Sequence, residues 1–349
     1  MKKLYSYLFI SLLTLTTINL AQEKKPDLMP KFSGDARTWL DEDLTKHQGN
    51  FMVKNVRLQV SGSATELVSY KFLFDLAALA RTSTKNDTLG GKRFLTDAYT
   101  DLGILNDAYI AIKPVSGFSI SLGQIKVPFS SDNLISVNSI PFSNRPLLTS
   151  KVGPDMYDIG FMASYSLPVS LPIDIDAAIF DGNGQNKSET DKTNNYAFRT
   201  VIKPVEGLNV SGNYAGGVMA GNKVHMFDLG AGYKNGGLTL SCEYAKRNTK
   251  LASYDYSSNT YFGYAVYDFP VSSELVKFIS PAVRYEFLEP ASHKAGDEFS
   301  RITAGLTFSF SKLTFAHCRL NYEKFIYKNE YKAADKNSDR LVLEFQIRY

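Results

Sequence analysis

The last nine residues of the chain, 341–349, alternate between two chemically different phases. One phase holds Leu341, Leu343, Phe345, Ile347 and Tyr349, and the other holds Val342, Glu344, Gln346 and Arg348. Because successive strand side chains point to opposite faces, this pattern predicts a strand with one apolar face. A free apolar strand edge invites aggregation, whereas a closed barrel has no free edge. The segment therefore favours a final strand that pairs with the first strand of a barrel.

The same period of two recurs along the whole chain. Clear examples are 55–60, 70–76, 107–113, 118–122, 158–165, 173–179 and 316–323. Repeated period two indicates half-buried strands, and no apolar run beyond Ala21 is long enough for a transmembrane helix. About fifteen strands are distinct, and residues 31–40 supply another, because a barrel with both termini on one side needs an even number. We predict an all-β, transmembrane antiparallel β-barrel of about 16 strands, a size that leaves an aqueous channel.

The connections between these strands differ in length. Short connections with Pro or Gly fall at 114–117, 204–207 and 235–237. Long polar connections fall at 81–104, 127–155, 182–194, 248–259, 288–300 and 326–339. Short periplasmic turns and long extracellular loops are typical of outer-membrane barrels.

The N-terminal sequence predicts export. A positive head, Met1 to Lys3, precedes an apolar stretch that ends near Ala21. This order is typical of a signal peptide, predicted here as 1–21, and the alternative is a single N-terminal transmembrane helix. A disordered lead-in over 22–30 and a barrel over 31–349 complete the predicted organisation. The predicted location is the outer membrane of a Gram-negative-type bacterium, reached after export across the inner membrane.

The charge balance excludes one class of partner. The chain has 39 basic and 35 acidic residues, a formal charge of +4, which is too weak to indicate nucleic-acid binding. The two cysteines, Cys242 and Cys318, fall on the outward phase of their strands, so we interpret them as small lipid-facing residues.

Five segments resemble the phosphate-selective porin O and P family. Residues 51–62 read FMVKNVRLQVSG, 70–77 read YKFLFDLA, 105–110 read LNDAYI, 123–130 read GQIKVPFS and 180–184 read FDGNG. The matching region is roughly 51–184. The resemblance implies a sixteen-stranded outer-membrane barrel, a homotrimer, and conduction of small anions such as phosphate past basic residues that line the pore.

Candidate channel-lining residues follow from the strand phases and from the resemblance. They are Arg57, Lys71, Lys113, Lys126, Arg145, Lys151, Arg199, Arg284 and Arg319. Acidic residues share the inward phase, namely Asp75, Asp107, Asp158, Asp174, Asp176, Glu243, Glu286, Glu323 and Glu344. The predicted wall is therefore mixed, and the alternative role of each basic residue is to pair with an inward acid and brace the wall.

The segment 127–155 is too long for a turn and carries apolar residues such as Leu134, Ile140, Phe142 and Leu148. Long structured loops tend to be functional. We expect this segment to fold into the lumen and narrow it, presenting Arg145 and Lys151. The alternative is a loop that lies over the rim or packs against a neighbouring subunit.

These observations predict an outer-membrane porin for passive diffusion of small polar solutes, with an anion bias and phosphate selectivity as the finer hypothesis. A non-selective general porin is the first alternative. A barrel-borne hydrolase using His317 with an inward serine, or a secreted β-rich binding protein, is the alternative from another class. No catalytic motif or metal-ligand spacing occurs in the sequence, so we expect no enzyme activity, no cofactor and no metal.

Overall fold

The computed structural model describes residues 28–80, 103–187, 193–219, 221–292, 296–328 and 337–349. The predicted signal peptide, most of the lead-in and parts of several predicted loops lie outside the described residues. The division of the chain into these regions stays a prediction.

The described residues form one closed antiparallel β-barrel. Its strands are β1 (Lys31–Asp43), β2 (Gln48–Ser63), β3 (Val68–Asp75), β4 (Leu105–Val115), β5 (Phe118–Lys126), β6 (Tyr157–Leu167), β7 (Ile173–Phe180), β8 (Asn195–Ile202), β9 (Leu208–Met219), β10 (Asn222–Asn235), β11 (Leu238–Lys250), β12 (Asp255–Tyr267), β13 (Phe269–Pro270), β14 (Phe278–Glu289), β15 (Phe299–Ser309), β16 (Ala316–Tyr327) and β17 (Arg340–Arg348). The two-residue β13 continues β12 along the same neighbour, β14, so the wall has sixteen positions.

The barrel closes where β17 pairs with β1. The register runs from Asp35 opposite Arg348 to Asp43 opposite Arg340, and the other edge of β1 pairs with β2. Both edges of β1 are therefore paired, and the sheet has no free edge, as a membrane-spanning sheet requires. The predicted fold class is confirmed, including a first strand that begins at Lys31.

The two faces of the wall differ in polarity because the side chains alternate. Apolar residues such as Leu122 and Leu229 point outward and are 66% and 65% exposed. Charged residues such as Glu286 and Arg319 point inward and are almost completely buried within the barrel. This is the apolar-out, polar-in arrangement of a transmembrane barrel.

The predicted loop 248–259 is mostly strand. β11 continues to Lys250 and β12 begins at Asp255, and the two pair along their whole length. Its polar residues indicated a loop, but a hairpin can remain hydrogen-bonded above the bilayer, where polar side chains meet water. Residues 44–47 also make a short connection at this end of the barrel.

The structure adds three short helices that the sequence pattern did not predict. They are a 3₁₀ helix (Leu76–Ala80), α1 (Ser131–Leu134) and α2 (Leu147–Lys151). Each is too short to show a helical repeat. Among the described residues, no helix is long and apolar enough to cross a membrane.

Candidate functional site

Residues 127–156, which we call the inner segment, connect β5 to β6 and lie inside the barrel. The inner segment contains α1 and α2. It contacts inward side chains on opposite parts of the wall, from Asp35 of β1 to Glu243 of β11 and Glu286 of β14. The lumen is therefore partly filled by the chain itself.

Three inward glutamates anchor the inner segment. Glu243 accepts hydrogen bonds from Ser130 Oγ at 2.5 Å and from the Asp132 backbone N–H at 3.0 Å. Glu286 accepts from the Leu147 backbone N–H at 2.7 Å. Glu323 accepts from Asn144 Nδ2 at 2.8 Å. These hydrogen bonds fix the segment at Ser130–Asp132, near its start, and at Asn144–Leu147, in its second half.

Inward arginines hold the backbone carbonyls of the same segment. Arg37 donates to the carbonyl of Ser143 at 2.9 Å, Arg284 to that of Asn144 at 2.9 Å, and Arg301 to that of Arg145 at 2.8 Å. These bonds satisfy carbonyls that would otherwise be buried without partners.

An apolar patch on the inner wall receives the other side of the inner segment. Phe142, Leu147, Leu148 and Val152 pack in one buried cluster with inward residues of β11, β12, β14 and β15, which include Ala245, Phe262, Tyr264, Leu288 and Phe299. Burial of one large apolar side chain contributes about 1.5–3 kcal/mol. Four such residues make the segment a fixed part of the wall rather than a free loop.

The sequence carried an unused signal for this patch. Residues 260–267 of β12 read TYFGYAVY, and the inward phase holds Phe262, Tyr264 and Val266. Apolar residues on both faces of a barrel strand indicate that something inside the barrel must cover the inner face.

The inner segment separates two cavities. The upper cavity, toward the end with the long connections, has a volume of about 750 Å³. The lower cavity has a volume of about 230 Å³. Along β1, Arg37 faces the upper cavity and Asp35 faces the lower one, so the division falls between these two residues.

The sequence pattern of one family matches more than half of the chain. The model of the phosphate-selective porin O and P family matches residues 31–235. The chain belongs to this family. Family and fold together support an outer-membrane porin channel in a Gram-negative bacterium. The resemblance to this family that the sequence predicted is confirmed. A comparison with curated protein sequences found no match.

Solved structures confirm the architecture of this porin. OmpF of Salmonella typhi, in complex with daunomycin, has 14% identity and a TM-score of 0.64, with 92% of this chain and 97% of that chain covered. The anion-selective porin from Comamonas acidovorans has 13% identity and a TM-score of 0.62, with 92% and 99% covered. The trimer form of OmpT from Vibrio cholerae has 12% identity and a TM-score of 0.62, with the same coverage. At these identities the likeness shows the fold.

Most of the predicted lining residues of the porin are paired with an acid. The pairs are Arg57–Asp35 at 2.6 Å, Lys71–Asp107 at 2.8 Å, Arg145–Asp132 at 3.2 Å, Arg199–Asp176 at 3.5 Å, Arg284–Glu286 at 2.9 Å and Arg319–Glu344 at 2.9 Å. These contacts match the alternative in which inward charges brace the wall. Of the six, Arg57 and Lys71 line the lower cavity and Arg145 lines the upper one.

The other three predicted lining residues, Lys126, Lys151 and Lys113, have different surroundings. Lys126 lines the lower cavity, but its Nζ donates to the carbonyls of Leu134 at 3.0 Å and Ile135 at 3.2 Å. Lys151 is exposed at the end of α2 and lines the upper cavity. Lys113 is exposed near the end of β4 and is part of the lining of neither cavity.

Arg145 holds the inner segment together. Its guanidinium donates to the side chain and the carbonyl of Asp132 and to the carbonyl of Ile135. Burial lowers the pKa of Arg145, and the neighbouring Asp132 carboxylate opposes this shift. Arg145 therefore links the stretch before α2 to α1, and its side chain stabilises the fold of the inner segment.

Several lining residues escaped the sequence reasoning. They are Arg37, Lys46, Lys54, Arg301 and Arg340 in the upper cavity, and Arg348 in the lower one. Strand phase could have found Arg37, Arg301, Arg340 and Arg348. Lys54 could not be found, because it is the extra residue where the register between β1 and β2 shifts. Its Nζ lies 4.3 Å from the centre of the Trp39 ring.

Proposed function

We propose that this porin is an anion-biased channel for passive diffusion of small polar solutes, with phosphate as a permeant or blocking ion. The observation that supports this proposal is the excess of basic residues around both cavities. No energy source or cofactor is needed for diffusion down a gradient.

The upper cavity carries seven basic and three acidic side chains. The basic residues are Arg37, Lys46, Lys54, Arg145, Lys151, Arg301 and Arg340, and the acids are Asp41, Asp43 and Glu323. The lower cavity has four basic residues, Arg57, Lys71, Lys126 and Arg348, and two acids, Asp35 and Asp107. Basic side chains therefore outnumber acids among the lining residues of both compartments, while Arg37, Arg145 and Arg301 have acidic partners, Glu344, Asp132 and Glu286, behind the lining.

A positive lining inside low-dielectric walls concentrates anions. Confined charge focuses the field and raises the local concentration of the opposite ion. Charged rings of this kind also set ion preference in pores. Lys151 is the clearest contributor, because it is exposed and no carboxylate of the described residues lies within ion-pair distance.

A planar-bilayer experiment tests the proposal. In a KCl gradient, the reversal potential should have the sign of chloride preference, and added phosphate should reduce the chloride current by binding the basic lining. Lys151→Ala should move the reversal potential toward zero, because it removes an unpaired positive charge from the upper cavity.

The control is Lys324→Ala. Lys324 lies on β16, faces outward and pairs with Asp339 at 3.5 Å, so its removal should leave the reversal potential of the porin unchanged. Anion preference without any phosphate effect would leave a general anion-biased porin. A cation-selective current would overturn the proposal.

The hydrolase alternative gains no support from the site. His317 Nε2 lies 3.4 Å from Glu344 Oε1, and the His317 side chain is enclosed and lines neither cavity. Among the described residues, no group of three His, Cys, Asp or Glu side chains is placed to hold a metal ion.

Homotrimer formation and signal-directed export are also parts of the proposal. The size of the purified assembly would test homotrimer formation.

A further inference from the structure

Three lysines stand together on the outer wall near the rim with the long connections. In the register of β10 and β11, Lys223 lies opposite Lys250, and Phe227 lies opposite Lys246. These residues share the outward phase, since Leu229 and Tyr244 of the same phase are exposed and Asp228 and Glu243 of the other phase are buried. We call Lys223, Lys246 and Lys250 the outer lysine patch.

The patch lies at the border of the apolar band. Two residues along β11 from Lys246, Tyr244 pairs with Tyr261 of β12, which in turn pairs with Phe287 of β14. The rings of Tyr261 and Phe287 stack with centres 5.1 Å apart. Leu229 lies opposite Tyr244, and the next outward pair beyond them is Ala231 and Cys242. Aromatic girdles mark the membrane–water interface, so the patch lies at the height of lipid headgroups.

The outer lysine patch forms no ion pair within the described residues, because no carboxylate there lies within ion-pair distance of Lys223, Lys246 or Lys250. Two acids share this part of the outer face. Asp255 is the register partner of Lys250, and Glu289 accepts a hydrogen bond from Asn259 Nδ2 at 2.5 Å.

Two other rim lysines on the outer face form ion pairs with acidic side chains. Lys324 pairs with Asp339 at 3.5 Å, and Lys328 pairs with Glu298. In contrast, the direct opposition of Lys223 and Lys250 places like charges on one cross-strand pair, which destabilises a sheet. An anion between them would remove this penalty.

We propose that the outer lysine patch binds the phosphate groups of an anionic glycolipid, of the lipid A type, in the outer leaflet. A lipid fits better than a free anion because the charges continue directly into the aromatic and apolar surface that acyl chains cover. Long lysine side chains can keep their stems on that surface while their ammonium groups reach the headgroup. The patch faces away from both cavities, so the inference does not depend on the selectivity of the channel.

Binding of lipid A to the purified porin in a zwitterionic detergent tests this inference. Native mass spectrometry would count bound lipid during titrations with bisphosphorylated lipid A and with its dephosphorylated form. The wild-type protein should retain the phosphorylated form more tightly. A lysine near an anionic lipid surface contributes about fivefold in affinity, so Lys223→Ala, Lys246→Ala and Lys250→Ala together should weaken binding about 100-fold.

The matched control is Lys324→Ala, which removes a rim lysine that already has an acidic partner and should retain wild-type lipid binding. The channel current of the triple variant should equal that of the wild type, which shows that the barrel is folded. Equal binding of the two lipid A forms, or full binding by the triple variant, would overturn the inference. Displacement of the lipid by millimolar inorganic phosphate would instead indicate a free-anion site, and a changed subunit number would indicate a subunit interface; either result overturns it as well.

Discussion

Replacement of Glu344 by alanine is expected to cause the largest loss of barrel stability of any single change considered. Glu344 lies on β17 and accepts hydrogen bonds across the closing seam from Arg37 Nη2 at 2.5 Å and Trp39 Nε1 at 2.7 Å, both on β1. On its other side, Arg319 Nη1 donates at 2.9 Å. One carboxylate therefore joins the last strand to the first and to its neighbour β16.

The expected loss of stability arises because the Glu344→Ala variant leaves two buried arginines without a carboxylate partner. Arg37 and Arg319 are almost completely buried, and each would lose its carboxylate partner. Breaking a buried ion pair by removal of one partner costs about 3–5 kcal/mol. That is a large share of the roughly 5–15 kcal/mol that stabilises a typical folded domain.

Urea unfolding in detergent, followed by the shift between folded and heat-unfolded bands in electrophoresis, would measure the effect. Glu344→Ala should lower the midpoint strongly. Lys324→Ala is the control, because the side chains of the Lys324–Asp339 pair are 53% and 27% exposed, so solvent screens this ion pair. Equal midpoints for both variants would show that the buried carboxylate does not fasten the seam.

Removal of the inner segment is expected to widen the pore. A variant in which residues 131–151 are replaced by a flexible linker of about ten residues loses both helices and the anchored stretch between them. Single-channel conductance should rise roughly twofold or more, because current follows the open cross-section of a water-filled bore. The exposed apolar patch around Phe262 and Phe299 should also make the variant less stable.

Leu148→Ala is the matched control for that change. Leu148 is fully buried between the segment and the wall, so the smaller side chain should cost about 2–5 kcal/mol. The glutamate and arginine anchors remain, so the segment should stay in place and the conductance should match that of the wild type. A wild-type conductance step in the deletion variant would mean that the segment does not limit the current.

The barrel was predictable because each strand faces lipid on one side and the polar lumen on the other. Its sequence therefore alternates between an apolar and a polar phase. Alternation in 316–323 and 341–349 directly predicted β16 and β17, and the need for an even number of strands predicted β1. Loop boundaries were less predictable, since a polar sequence such as 248–259 suits both a loop and a strand above the bilayer. The position of Lys54 depends on a register shift, which has no simple sequence signature.

The candidate site was only partly predictable for a similar reason. Strand phase correctly indicated that residues such as Arg57 and Arg284 point inward, but their partners depend on cross-strand register and on the path of the inner segment. Arg145 meets Asp132 within the segment and so braces it. The anchoring role of Glu243, Glu286 and Glu323 could not be read from a mixed charge pattern, because all inward acids look alike in sequence.

The proposed channel function requires a path for solutes between the inner segment and the wall of β1, β2 and β17, the strands that line both cavities. Ser136 tests it most directly, because it is an exposed residue of the segment that lines the lower cavity. In a background with Cys242→Ala and Cys318→Ala, Ser136→Cys would be labelled with a bulky thiol reagent during single-channel recording. Labelling should reduce the current roughly by half or more, because the adduct obstructs the path. Complete labelling with an unchanged current would contradict the account.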